Sequence, residues 1–325
     1  MVTLANKLLK WYQENGRDLP WRVKGGAHPN PYAVLVSEFM LQQTTVKTVI
    51  PYFEKFMERF PTIESLAASS LEEVYQYWQG LGYYTRAKSL YTTAQMIVKQ
   101  GYFPQTRVEV LKLKGIGSYT ASSVLALAFN QPETVVDGNV MRIICRLNAL
   151  TSPLDEIQDI IREKAEKLAD TKCPADYASA IMDLGAMVCT PKNPQCLLCP
   201  WQNDCLSCGR EDLESIPQRK KFPKKEKVGY VYLIQNKQGE ILIRLRTEKG
   251  LLSGLYEFPW GEEKLFSQAK KTNKQIVHVF THFKLTLHLC TLASEHTVMN
   301  GMFVPFDKLS DYPMSTLMKK VKNTF

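Results

Sequence analysis

The sequence predicts a two-part chain, a larger all-α part followed by a smaller α/β unit, on three observations. Residues 1 to 208 carry apolar side chains at helical spacing and hold no run of apolar–polar alternation. From Val228 the period changes to two, in VGYVYLIQN, EILIRLR and HFKLTLHLCTL, with KQG as a turn between the first pair. Between these patterns lies the stretch 209–227, which contains proline and is basic: six of the eleven residues from Pro217 to Lys227 are Lys or Arg, against one acid.

Composition bounds the function before any motif does. With 325 residues and 45% hydrophobic content there is apolar material for two or three cored domains, and nothing reads as disordered. The start, VTLANKLLKWYQENGRD, reads as an amphipathic helix and not as a signal peptide. No apolar run approaches the roughly 18 residues of a membrane span, so no membrane partner and a cytoplasmic location are expected. Lys and Arg outnumber Asp and Glu by 41 to 32, which suits a polyanionic partner, although a basic run is more often a solvated linker.

Taken along the chain, YAVLVSEFML is a nearly all-apolar helix from which Glu38 projects. A carboxylate there is either paired, or desolvated and inclined to keep its proton. Pro61-Thr62 and Asp155 read as helix caps. In LKLKGIGSYTASSVLALAF, residues 111 to 129, one helix ends, glycines at 115 and 117 allow positive φ, and a new helix starts at Ser118. Such a hairpin exposes backbone N–H groups at a helix N-terminus, where a phosphate can sit; an ordinary glycine-capped αα-hairpin fits equally well. Asp137, before Gly138-Asn139 and an apolar run, reads by itself as an N-cap.

The stretch CTPKNPQCLLCPWQNDC, 189 to 205, spaces four thiols as C-x₆-C-x₂-C-x₅-C. In a reducing compartment a tight thiol cluster points to metal before disulfides. Four thiolates suit Zn²⁺ and a [4Fe–4S] cluster alike, with this spacing leaning to iron–sulfur. Cys145, Cys173 and Cys290 read as buried or half-buried side chains, and Cys208, just outside the cluster, is ambiguous.

Together and in this order, the motifs resemble the helix-hairpin-helix DNA glycosylase superfamily with an iron–sulfur loop, and within it the adenine DNA glycosylases. The resemblance is carried by RDLPWR (17–22), VSEFMLQQTTV (36–46), WQGLGYYTRAKSL (78–90), LKGIGSYT (113–120), VVDGNVMRI (135–143), MDLGAMVCT (182–190) and the four cysteines, and GLLSGLYEFPWGEE resembles the Nudix-like domain of that family. It implies a helical catalytic region over 1–208, made of a six-helix domain with the hairpin at about 30–133 and an iron–sulfur domain from 1–29 plus 134–208. The linker 209–227 and a Nudix-like lesion-recognition domain over 228–325 follow. Where the acidic Nudix box would stand the chain has FSQAKKTNK, so pyrophosphate hydrolysis is not expected there.

By motif position the resemblance makes Glu38 the acid that protonates adenine at N7 and manages the water. It makes Asp137 the stabiliser of the cationic sugar, and assigns Asn139 and Tyr119 to orienting Glu38 and polarising the reacting centre. No histidine lies between His28 and His278, so carboxylates must do the work if this unit is catalytic. Cys189, Cys196, Cys199 and Cys205 become ligands of a [4Fe–4S] cluster. Gln43 and Tyr84 would fill the vacated base stack, Lys114, Gly115, Ile116 and Gly117 would hold phosphate, and Arg17, Leu19, Trp21 and Arg22 would line the adenine pocket. Phe280, Thr281 and His282 would read 8-oxoguanine. The chain departs from the family pattern in an insertion between Arg22 and Pro31, and in Ser179, where Glu or Gln is usual.

The activity implied is removal of adenine opposite 8-oxoguanine or guanine in double-stranded DNA, by a monomer, through base flipping and an oxocarbenium-like transition state. Related lyases carry a lysine at position 119; Tyr119 implies a monofunctional enzyme. The alternatives are a bifunctional endonuclease III-like glycosylase/lyase, and a non-catalytic iron–sulfur DNA-binding module.

Overall fold

A computed structural model describes residues 3–23, 28–218, 223–248, 250–293 and 300–324. The chain divides into two compact units, 1–68 with 89–221, and 69–88 with 222–325.

Among its described residues the first unit is built from helices and short 3-10 turns: α1 (Leu4–Asn15), α2 (Pro31–Leu41), α3 (Val46–Arg59), α4 (Ile63–Ala68), most of α6 (Tyr84–Gln100), α7 (Arg107–Val110), α8 (Ser118–Phe129), α9 (Gly138–Leu147), α10 (Gln158–Leu168) and α11 (Pro174–Met187). Their starts are set by short polar side chains that satisfy orphan amides. Thr3, Asn30, Thr45, Thr106 and Asp137 each accept from a backbone N–H in the first turn of the helix they precede, and Thr62 does so from Ser65. The cap expected at Asp155 is not formed: α10 begins at Gln158 with no side-chain cap. α2 and α8 pack on each other, α8 also meets α11, and α11 meets α1 and α9. Because α2 and most of α8 are covered on nearly every side, Ser37 and Glu38 on α2 and Thr120, Ser122 and Ser123 on α8 are held inside the protein.

The second unit contains α5 (Leu71–Trp78), a mixed sheet and α12 (Thr316–Lys322). The strands are β1 (Lys225–Gln235), β2 (Ile241–Leu245), β3 (Tyr256–Glu257), β4 (Trp260–Gly261), β5 (Lys270–Val279), β6 (Phe283–Ala293) and β7 (Met302–Val304). Their order is β3-β2-β1-β6-β5, with β4 on β1 and β7 on β2; β1 and β6 run parallel and the other pairs antiparallel. Alternation gives the sheet two apolar faces. Val231, Leu285, Leu287 and Leu289 share a core with α12, while Tyr232, Ile234, Cys290 and Leu292 form another with Phe266.

Three sequence boundaries shift. Residues 69–88, read as part of the helical region, group with the second unit, where Gln76 and Gln79 donate to the Asp311 and Tyr312 carbonyls and Tyr84 to that of Met314. β1 begins at Lys225, inside the stretch read as linker, because its ladder to β6 extends to Lys225 opposite Phe283. Leu213 and Ile216, also in that stretch, are buried. The linker residues 219–222, and 24–27 of the insertion after Arg22, lie outside the described residues. Among the described residues no helix is long and apolar enough to cross a membrane.

Candidate active site

Glu38 sits on α2 with only 4% of its surface exposed. Its Oε2 is buried without a hydrogen-bond partner, as is the Ser123 hydroxyl. Burial lifts the Glu38 carboxyl from 4.5 to about 7; the Ser123 and Tyr119 hydroxyls pull it down, the Asp137 charge adds to the rise and the Arg22 charge opposes it. Tyr119 and Ser123, one turn apart on α8, thus bracket the acid from the facing helix. Tyr119 donates to Met182 Sδ at 3.8 Å. Burial, then the charges of Glu38 and Asp137, push the Tyr119 phenol well above its ordinary value, so it remains a proton donor.

Asp137 is the N-cap of α9, as the sequence alone suggests, and also belongs to this site. Its Oδ1 accepts from Val140 N at 2.7 Å and its Oδ2 from Asn139 Nδ2 at 3.0 Å. Burial raises Asp137, while the Val140 and Asn139 amides, the Asn139 side chain and the Arg142 charge work against the rise. Asn139 therefore holds Asp137 and not Glu38, a correction to its expected role. The Asn139 amide oxygen accepts from Arg142 Nη2 at 2.9 Å, and Arg142 is fixed on the Gly185 and Cys189 carbonyls.

Arg17 and Arg22 converge on the fully buried Asp183 of α11. Arg17 gives its backbone N–H, Nε and Nη2, and Arg22 its Nη1, at 2.6 to 2.9 Å. Burial would raise Asp183, but Arg22 and Arg17 hold it below its usual value. A cleft of about 170 Å³ has Trp21, Arg22 and Ser179 on its wall. Arg17 and Leu19 are not on that wall: Arg17 clamps Asp183 and Leu19 is buried core. Glu38 is not on it either. Trp21 packs edge-on against Phe53 with ring centres 5.2 Å apart.

Cys189, Cys196, Cys199 and Cys205 ring one cavity at the end of α11. The loop is held by Arg146 of α9, 1% exposed, which donates to the carbonyls of Leu213, Ile216, Thr190 and Pro191 and approaches Cys189 Sγ at 3.6 Å. The buried Trp201 anchors it through Nε1 to the Leu4 carbonyl. Burial pushes Cys199 up to about 12 and raises Cys196 and Cys205, and the charges of neighbouring thiols add to the rise of these three. Such thiols become stable thiolates only around a strongly cationic group. Among the described residues no three Cys, His, Asp or Glu side chains converge as one metal ion requires, whereas four thiols spread around a cavity suit a polynuclear cluster.

Residues 36–170 match the HhH-GPD superfamily of base excision DNA repair proteins, 189–205 the iron-sulfur binding domain of endonuclease III, and 230–324 the NUDIX domain. The adenine DNA glycosylase of Rattus norvegicus is 33% identical, over 99% of this chain and 77% of its own length. That of Homo sapiens is 34% identical, over 99% and 73%, and that of Buchnera aphidicola (strain Bp) 34%, over 95% and 89%. The chain belongs to the adenine DNA glycosylase family. Among solved structures, a thermostable thymine-DNA glycosylase aligns with TM-score 0.55 and 27% identity, over 62% of this chain and 94% of its own. An endonuclease III–DNA complex shares the fold at TM-score 0.52 and 24% identity, over 62% and 92%. The chain is thus a DNA N-glycosylase that binds DNA and carries a [4Fe–4S] cluster. Cys189, Cys196, Cys199 and Cys205 are the residues that would hold it, and among the described residues no cysteine is in a disulfide.

The hairpin characteristic of the superfamily forms between α7 and α8. Gly115 has φ +76°, and a Cβ there would collide with the Ser89 side chain. Gly117, expected to share the positive φ, is extended at φ −96°; a Cβ on it would meet nothing within 4 Å. α8 has no side-chain cap, which leaves its first amides beside this open space. Lys114 is exposed here, while the Ile116 side chain is buried and can offer only backbone. Gln43 is exposed at φ +59°.

Tyr84, expected to fill the vacated base stack, is instead a core residue. It is 5% exposed, its OH donates to the Met314 carbonyl at 3.2 Å, and its ring packs on Tyr75, so it has no face free for a base stack. Its neighbour Tyr83 is exposed, and shares a 2.6 Å hydrogen bond with Thr281 Oγ1 within the second unit. Thr281 and His282 are exposed in the β5–β6 turn, while Phe280 is half-buried between His278 and Phe283. Tyr83 and these three residues line a cleft of about 340 Å³. Cys173, expected to be buried or half-buried, is exposed, whereas Cys145 and Cys290 are buried.

Proposed function

We propose that the chain hydrolyses the N-glycosidic bond of adenine that faces 8-oxoguanine or guanine in duplex DNA, and leaves an abasic site without cutting the strand. The observation that carries this reading is the buried Glu38 carboxyl, lifted to about 7 beside an Asp137 that is held by three donors. An acid in that range shares its proton with a leaving base near neutral pH. Glu38 gives its proton to adenine N7 as the C–N bond breaks. Asp137, an acceptor for Val140 and Asn139, faces the positive charge that develops on the sugar.

Glu38, once deprotonated, takes a proton from the water that attacks the sugar. Tyr119 supplies an O–H and no amine, so a Schiff base has no nucleophile at this position. Arg146 and the cysteine loop brace α9 and α11, whose ends carry Asp137 and Asp183. Recognition of the base opposite adenine is assigned to the second unit, with Thr281 and His282 as hydrogen-bonding groups and Tyr83 in place of Tyr84. A monomer located in the cytoplasm, at the nucleoid in a bacterium, completes the reading.

The test is incubation of the full chain with duplexes that carry adenine opposite 8-oxoguanine, adenine opposite guanine, and thymine glycol, with products resolved with and without alkali. Release of adenine from the first two, with strand breaks only after alkali, is expected. Breaks at thymine glycol without alkali would instead establish the bifunctional reading.

A further inference from the structure

The cavity that takes the iron–sulfur cluster is ringed by five thiols, not four, since Cys208 lies on its wall with Cys189, Cys196, Cys199 and Cys205. Its position repeats a pattern already present in the loop. Cys196 and Cys199 form a C-x₂-C turn closed by Cys199 N–H to the Cys196 carbonyl at 3.1 Å, and Cys205 and Cys208 form a second one closed by Cys208 N–H to the Cys205 carbonyl, also at 3.1 Å. The two turns meet across the cavity.

The other three ligands have protein support of their own. Cys189 Sγ faces Arg146 Nη1 at 3.6 Å. Cys205 Sγ lies 3.4 Å from the Arg146 carbonyl, and Cys199 stands two residues before the buried Trp201, which is anchored on the Leu4 carbonyl. Cys196 is followed by the exposed Leu197 and Leu198.

We propose that Cys208 is a stand-by ligand of the cluster, placed to take over the iron held by Cys196. In the exchange the Cys208 thiol gives its proton to solvent as its sulfur bonds iron, and Cys196 leaves as a thiolate that takes a proton up; no electron is transferred. The chain thereby holds two ligand sets, which share Cys189, Cys199 and Cys205. The inference rests on the cluster reading, which wild-type iron content tests separately.

Full-length wild type, Cys208→Ala, Cys196→Ala, Cys189→Ala and the Cys196→Ala/Cys208→Ala double variant are purified anaerobically. Iron per chain is measured, and alkylation of each cysteine by iodoacetamide is mapped by mass spectrometry. Wild type and Cys208→Ala should hold roughly four irons, and Cys196→Ala should keep roughly four. The double variant and Cys189→Ala should lose iron. Cys208 should be alkylated in the wild type and protected in Cys196→Ala. Iron in Cys196→Ala no higher than in the double variant, through loss of the cluster or of the fold, overturns the proposal, as does a Cys208 equally reactive in both proteins. Wild-type protein without iron would overturn the cluster reading itself, and this proposal with it.

Discussion

Replacing Glu38 by Gln removes a charge that the fold is reluctant to hold, and the effect on stability has a sign and a size. The carboxyl rises from 4.5 to about 7 on folding, mainly through burial. Each tenfold change in proton affinity is worth about 1.4 kcal/mol, so ionising Glu38 in the native state costs about 3 kcal/mol. Below pH 4.5 both states hold the proton and nothing is lost. Between 4.5 and about 7 the unfolded chain releases its proton while the native one keeps it, and stability falls; above about 7 the full cost is present. The amide introduced by Glu38→Gln keeps the shape and never ionises. The unfolding free energy of Glu38→Gln relative to wild type should therefore grow by about 2–3 kcal/mol between roughly pH 5 and pH 8. Urea unfolding of the two full-length proteins at both pH values measures it, and comparison within each pair cancels the other titrating groups. A difference that stays flat across this range would mean that Glu38 is not desolvated, and the argument for its proton would fail.

Tyr119→Lys should introduce Schiff-base chemistry, seen as a borohydride-trapped protein–DNA adduct; efficient trapping with unmutated protein would contradict the monofunctional reading. The combined Phe280→Ala, Thr281→Ala and His282→Ala variant should lose ~1–3 kcal/mol of the preference for 8-oxoguanine over guanine opposite adenine, with excision opposite guanine retained. An unchanged ratio of single-turnover rates would assign lesion reading elsewhere. Gly115→Ala places a methyl group against Ser89 at a φ of +76°, so it should destabilise the protein by about 1–3 kcal/mol and weaken binding to duplex DNA; wild-type values for both would mean that the hairpin tolerates a side chain.

The division into helical and sheet parts was legible because it lies in the period of the apolar residues, and β1, β2 and β6 fall on the three alternating runs. β5 is not legible in this way, because an exposed edge strand, KKTNKQIVHV, has little apolar alternation to display. The assignment of 69–88 to the second unit has no local signal, since α5 looks like any capped helix and its partners lie more than 200 residues away. Glu38 could be found because α2 has almost no polar face on which to place it. The burial of Tyr84 is written in the period of the chain: Tyr84, Ala87, Leu90, Ala94 and Ile97 are the buried stripe of α6, and Tyr83 precedes it. Arg142, Arg146 and Asp183 carry no signal in the sequence because a buried charge is recognised by its partners, and most of these are carbonyls and side chains far along the chain. Arg142 lies in VVDGNVMRI and Asp183 in MDLGAMVCT, yet only the convergence of Arg17 and Arg22 reveals what Asp183 holds.

The central claim is that a buried carboxyl on α2 delivers the proton that releases adenine. Single-turnover reaction of wild type and Glu38→Gln with a duplex carrying adenine opposite 8-oxoguanine, with free adenine quantified and binding to the same duplex measured in parallel, tests it directly. Wild type should release adenine, whereas Glu38→Gln should bind comparably and release none over many wild-type half-lives. Adenine release by Glu38→Gln at the wild-type rate, or none by the wild type, would contradict the account.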